Sequence, residues 1–156
     1  MRILIKTFIS ILAVFIITGC GYKEGSDLLE EGVVIGDGNG NGSAVETLWS
    51  KKRKLTFDNS VQSENLIDFP VLVKLNSSRI DYSLTQDNGE DIRFYDADGS
   101  TLLFHEIEEW DKAGDSIVWV KAPRIDGSSN TDFIWIYYGN DSAADGQNVS
   151  GVWSQD

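Results

Sequence analysis

The chain has 156 residues and a formal net charge of −12, from 13 Lys+Arg against 25 Asp+Glu, with one Cys and one His. A body this acidic excludes nucleic acid as a ligand, since phosphate binding needs clustered cations. A single Cys excludes an internal disulfide, one Cys with one His excludes a zinc site, and the length allows one folded domain.

Residues 1–19 read as a secretory signal. Arg2 and Lys6 form a basic start, an apolar run ends at Ile17, and Thr18-Gly19 lead into Cys20. The apolar run is too short to be a good membrane-spanning helix. Ile17-Thr18-Gly19-Cys20 resembles the bacterial lipobox. In that family the signal is cut before the Cys, which is then acylated, so Cys20 is expected to carry a lipid anchor. Several acyl chains hold a protein stably, because each buried CH₂ contributes about 0.8 kcal/mol. Gly21 after the Cys resembles cargo sent to the outer membrane, so the expected location is the bacterial cell envelope, with the membrane as a partner.

Residues 20–46 read as a flexible linker. The stretch Gly36-Asp37-Gly38-Asn39-Gly40-Asn41-Gly42-Ser43 alternates Gly with small polar residues and has nothing to pack. Asp37, Asn39, Asn41 and Gly42 fit the opening of a calcium loop, but the twelfth position, which should be an acid, is Leu48.

Residues 47–142 have the texture of a β domain. Lys52 to Asn59 alternates, with Leu55 and Phe57 on one face, behind the basic cluster Lys51-Lys52-Arg53-Lys54, which suits a guarded sheet edge, the alternative being attachment to an acidic surface polymer. Phe69, Val71, Val73 and Leu75 share the face of a second strand, and a helical turn fits between Ile80 and Asp91. Asp91 to Tyr95 is a third strand, Asp96 to Ser100 a turn with Asp-Gly, and Thr101 to Trp110 a fourth strand. Asp115 to Ala122 and Thr131 to Tyr138 follow as strands; their runs 117–120 and 133–138 are apolar on both faces and are expected to be central strands covered on both sides or to edge a groove. Six strands with turns between them predict an all-β antiparallel sandwich or jelly roll. Residues 143–156 remain as a tail or the lead-in to a further domain.

The chemistry in these strands is incomplete. Glu106 and Glu108 alternate, so they share a strand face, as the paired carboxylates of a glycosidase do. Glu106-Ile107-Glu108 resembles the start of the laminarinase-like motif Glu-Ile-Asp-x-Glu, but its acid position is Trp110. His105, the only His, has no Gly-x-Ser-x-Gly partner motif and reads as structural. Asp96 and Asp98 are the candidate calcium ligands of the folded region, beside the plainer reading of an Asp-Gly hairpin; no other cofactor is expected.

The aromatics are the stronger binding cue. Phe133, Trp135 and Tyr137 alternate on one face, with Trp110 and Trp119 in the same half of the chain. A row of exposed rings stacks on sugars. The commoner fate of such a row is the inner core, with Ile134, Ile136 and Tyr138 turned to the other layer.

From Trp49 to Asn140 the chain resembles the bacterial domain of unknown function 2341. The residues that carry the likeness are Trp49 and Arg53, Asp68-Phe69-Pro70-Val71-Leu72-Val73, Asp91-Ile92-Arg93-Phe94, Asp96-Ala97-Asp98-Gly99, Glu106-Ile107-Glu108-x-Trp110, Trp119-Val120-Lys121-x-Pro123 and Ile134-x-Ile136-Tyr137-Tyr138-Gly139-Asn140. The resemblance implies a β-sandwich module of surface and envelope proteins, often followed by a lectin-like domain. It supplies no catalytic residues. The function expected is therefore a non-enzymatic, lipid-anchored surface module that binds glycan or supports a neighbouring lectin-like domain, with an extracellular polysaccharide as partner. The alternative is an assembly lipoprotein contacting an envelope protein, and a glycoside-active enzyme comes third.

Overall fold

The computed structural model describes residues 49–154; Cys20 and the Gly-rich stretch 36–43 lie outside them. Seven strands form two antiparallel sheets. They are β1 (Lys51–Thr56), β2 (Leu66–Leu75), β3 (Arg93–Tyr95), β4 (Leu102–Leu103), β5 (His105–Glu109), β6 (Ser116–Ile125) and β7 (Phe133–Tyr138). The first sheet has the order β1-β7-β3-β4 and the second the order β2-β6-β5. A 3₁₀ turn, Tyr82–Leu84, and a short helix α1, Val149–Trp153, complete the fold. Among the described residues no helix is long and apolar enough to cross a membrane.

Strand alternation builds the core. Leu55, Ile134, Ile136, Tyr138, Phe94 and Leu103 face inward from the first sheet, and Val71, Val73, Leu75, Val118, Val120 and Ala122 from the second. Their registers agree: Leu55 lies opposite Ile134, Phe94 opposite both Ile136 and Leu103, and Val71 opposite Val120. The two runs apolar on both faces, within β6 and β7, are the central strands of their sheets, as expected. The helical turn between Ile80 and Asp91 is the 3₁₀ turn, capped by the Asp81 carboxylate on the Ser83 N–H. The Asp-Gly turn closes the β3–β4 hairpin, with Gly99 at φ +70°.

One strand differs from the sequence reading. Thr101 to Trp110 is not continuous but divides at Phe104. β4 pairs with β3 in the first sheet, and β5 pairs with β6 in the second. The Phe104 carbonyl at the crossing accepts from the Lys121 N–H at 3.0 Å. Alternation continues through the crossing, with Leu103 and His105 both buried, so side-chain patterning holds no sign that the backbone changes partners.

Residues 143–154, set apart by the sequence as a tail or lead-in, pack on both sheets: Ala143 lies against Trp49, Tyr95 and Tyr137 and the Ala144 carbonyl accepts from Arg93, and residues 147–154 pack on the second sheet. The Asn148 N–H bonds the His105 carbonyl at 2.9 Å, and the Gln147 side-chain carbonyl accepts from the Ile107 N–H at 2.7 Å. These two bonds occupy the outer edge of β5. Asn148 also caps α1 by accepting from the Gly151 N–H. Val152 is then fully buried and Lys121 holds the Ser154 carbonyl at 2.9 Å.

Candidate functional site

The candidate residues do not converge on one site; they fall in three places. Trp119, Glu106 and Glu108 lie on the outer face of the second sheet. Glu106 is the register partner of Trp119 across β5 and β6. The Trp119 indole N–H donates to Glu108, and the Trp153 indole N–H donates to Glu106 at 2.5 Å. The Trp119 and Trp153 rings meet at 5.3 Å, tilted by 59°. Glu106 and Glu108 do share a face, as alternation predicts. Each is engaged by a tryptophan donor; the returning chain covers Trp119, while Glu106 is half-buried and Glu108 stays exposed.

Trp110 lies at the end of the sandwich against the core cluster. It meets Tyr82 edge-on at 5.3 Å and lies over Gly89. A Cβ at Gly89 would come within 2.8 Å of the indole, and Gly89 has φ +75°, so this position requires glycine on both counts.

Trp135 and Tyr137 lie on the outer face of the first sheet. Here the structure overturns the inner-core reading: Ile134, Ile136 and Tyr138 enter the core, and Phe133, Trp135 and Tyr137 face away from it. Tyr137 is covered, at 4% exposure, in a small cluster with Trp49 and Tyr95; its ring meets Tyr95 edge-on at 5.2 Å. Trp135 and Phe133 are only partly covered and meet edge-on at 5.6 Å. Lys54 lies across β1 from Trp135, and its ammonium stands 3.8 Å from the Phe133 ring centroid. The Lys52 ammonium stands 5.3 Å from that of Trp135. β1 is an edge strand, so the basic cluster does line a sheet edge. Two of its four cations also lie over an aromatic surface.

Asp96 and Asp98 turn toward their own loop. The Asp98 carboxylate accepts from the Ser100 and Thr101 N–H groups and from the Thr101 hydroxyl, and these bonds, the hydroxyl first, hold it down at about 2. Asp96 accepts from the Ala97 N–H. Among the described residues no three His, Cys, Asp or Glu side chains are grouped to hold a metal. His105 is 1% exposed and packs against Phe94 at 5.4 Å. Both its ring nitrogens are buried without a hydrogen-bond partner, and burial pushes it down to about 4, with Arg93 adding to the effect and Asp145 opposing it. It is a neutral core residue at neutral pH.

Sequence reasoning missed two polar residues that hold this architecture. Asp91 is fully buried and accepts from the Gln86, Gly139 and Asn140 N–H groups at 2.8, 3.0 and 3.1 Å, tying β7's exit to the loop before β3. Arg93 bonds the Glu90, Ile92 and Ala144 carbonyls and lies 5.3 Å over Trp49. One signal was present for each: both interrupt an otherwise apolar strand opening, Asp91-Ile92-Arg93-Phe94. Nothing in their spacing told which partners they would meet.

Neither the comparison with curated proteins nor that with solved structures gives a match. Residues 88–154, from the loop before β3 through α1, match the model of a family described as Domain of unknown function (DUF2341). The match omits β1 and β2, over which the sequence resemblance also ran, and takes in residues 147–154, which pack on the second sheet.

Proposed function

We propose that the domain is a non-enzymatic surface module that binds glycan on the outer face of the first sheet, held to a bacterial outer membrane by acylated Cys20. One observation carries the binding reading: Phe133 and Trp135 face away from the core and stay partly uncovered side by side, whereas Trp49 and Trp119 are buried, and of the other half-covered tryptophans Trp110 packs on the core and Trp153 is bonded to Glu106. Large rings left at a surface mark contact sites, because leaving them in water gives up the gain of burying them. Flat, partly exposed rings suit the CH faces of sugars.

The assembly alternative uses a sheet edge or the tether, and each sheet edge among the described residues carries a guard. β1 opens with Lys51 to Lys54, β4 has two residues, and β5 is bonded by residues 147 and 148. β2 carries Pro70 and holds Asp68 at φ +48°, where the ladder lacks one pair between Ile67 and Phe69 while keeping its register. The carboxylates Glu106 and Glu108, which motivated the glycosidase reading, serve the covered face.

A glycan array probed with the full chain tests the binding reading. Binding to at least one polysaccharide class is expected; a folded protein that binds none removes it. The anchor is tested separately. Cys20→Ala should abolish labelling by radioactive palmitate, and retained labelling would contradict it.

A further inference from the structure

We propose that residues 144–154 form an acid-released strap: protonation of His105 favours a state in which this segment lifts from β5 while both sheets stay folded. The inference is independent of the glycan reading. The path of the chain sets the strap apart. Asp91 and Gln86 hold the chain up to Ala143, through the Gly139 and Asn140 N–H groups and the Asn140 and Ala143 carbonyls. Beyond Ala143 the segment joins neither sheet. It begins at the first sheet, where the Ala144 carbonyl accepts from Arg93 and Gly146 leaves no room for a Cβ beside the guanidinium. It crosses to the second sheet, where Gln147 and Asn148 bond β5 and Lys121 holds the Ser154 carbonyl. Lifting it breaks no strand pair, so it is a unit that opens at less cost than the whole domain.

His105 lies behind this span. Its own carbonyl takes the Asn148 N–H, its ring packs on Phe94, and Val120 is its partner across β6. Neither ring nitrogen has a hydrogen-bond partner. A neutral imidazole is tolerated in such a place. An imidazolium carries two N–H donors, and inside the sandwich neither finds an acceptor. The charges that act on the ring are Arg93 from β3, which opposes protonation, and Asp145 from the strap, which favours it. Burial outweighs both and holds the ring at about 4 while the strap is closed. Lifting residues 144–148 opens the gap between the sheets and gives the ring water, where its ordinary 6.5 returns. The neutral ring therefore favours the closed strap fully above pH 6.5, and that advantage is lost as pH falls toward 4. Between pH 7.5 and 5 the linkage raises the opening equilibrium about 30-fold.

Amide hydrogen exchange in the full chain tests this, read as protection corrected for the intrinsic pH dependence of exchange. From pH 7.5 to 5 the Ile107 and Asn148 amides should lose about 30-fold in protection, while the amides of the β2–β6 ladder keep theirs. In His105→Phe the loss should shrink below twofold. His105 is the chain's only His, so NMR follows its ring directly in the native chain, which decides the matter if the Phe variant does not fold. The ring should stay neutral at pH 5.5, and a ring that titrates near 6.5 overturns the inference. Strap protection that does not change with pH overturns it too. So does parallel loss across the ladder, which means that acid unfolds the whole domain. An undiminished loss in a folded Phe variant assigns the release to the carboxylates Glu106 or Glu108 and also overturns it.

Discussion

The outer faces of the two sheets begin from similar material and end differently. Each carries tryptophan on a central strand: Trp119 on β6 and Trp135 on β7. Over Trp119 the chain returns with residues 147–154, supplying Trp153 as a ring neighbour, while Glu106 and Glu108 accept the two indole N–H groups. Trp135 packs on one side against the cluster of Trp49, Tyr95 and Tyr137 and meets Phe133 edge-on, with the Lys52 ammonium over its ring, and stays partly uncovered. Where the protein spends its own chain to cover an aromatic, the aromatic is structural. Where the ring stays partly uncovered, as at Trp135, it remains available to something else.

The contrast is broken most directly by truncating the two tryptophans. Trp119→Ala should cost about 3–5 kcal/mol of stability, as for a large buried ring, and Trp135→Ala about 1 kcal/mol. Urea unfolding with an unchanged m-value measures both, and equal losses would mean that the two faces are not different in kind.

Acid sharpens the same contrast, because His105 lies on the inner side of β5, beneath the closed face. Its neutral form is favoured in the fold, held at about 4 against an ordinary 6.5. The contribution is therefore fully present above pH 6.5 and lost as pH falls toward 4, about 3 kcal/mol in all. Unfolding midpoints measured from pH 7 to 4 should fall steeply in the native chain and less so in His105→Phe. Parallel curves would refute the assignment.

A smaller effect is expected from Trp153→Ala, which removes the lid from Trp119. It should cost about 2 kcal/mol and shift tryptophan emission to the red as Trp119 meets water. An unshifted spectrum would show that α1 does not close this face.

Much of this fold could be read from alternation. Leu55 with Phe57, Val71 with Val73 and Leu75, and Ile92 with Phe94 all lie in the core as a two-residue period requires. The Asp-Gly turn and the central placement of β6 and β7 were also legible. Alternation fixes which residues share a face but not which face is inner when both are apolar. Within β7 the choice lay between Phe-Trp-Tyr and Ile-Ile-Tyr, and the smaller set filled the core because the facing sheet packs Val and Leu there. The division at Phe104 was invisible for a related reason, since the side-chain pattern continues while the hydrogen-bond partners change. The closing role of residues 147–154 depends on single polar contacts, Gln147 to β5 and Asn148 to α1, which no periodicity announces. Glu106 and Glu108 were correctly placed on one face, but their partner Trp153 lies 47 residues from Glu106 in the chain.

The most direct test of the account is the affinity of Trp135→Ala for the best polysaccharide found, measured beside Trp119→Phe as a control on the closed face. The open-face account predicts a loss of roughly tenfold or more for Trp135→Ala, with its unfolding midpoint nearly unchanged, and near-native affinity for Trp119→Phe. Full affinity in Trp135→Ala, or a loss confined to the Trp119 variant, would contradict it.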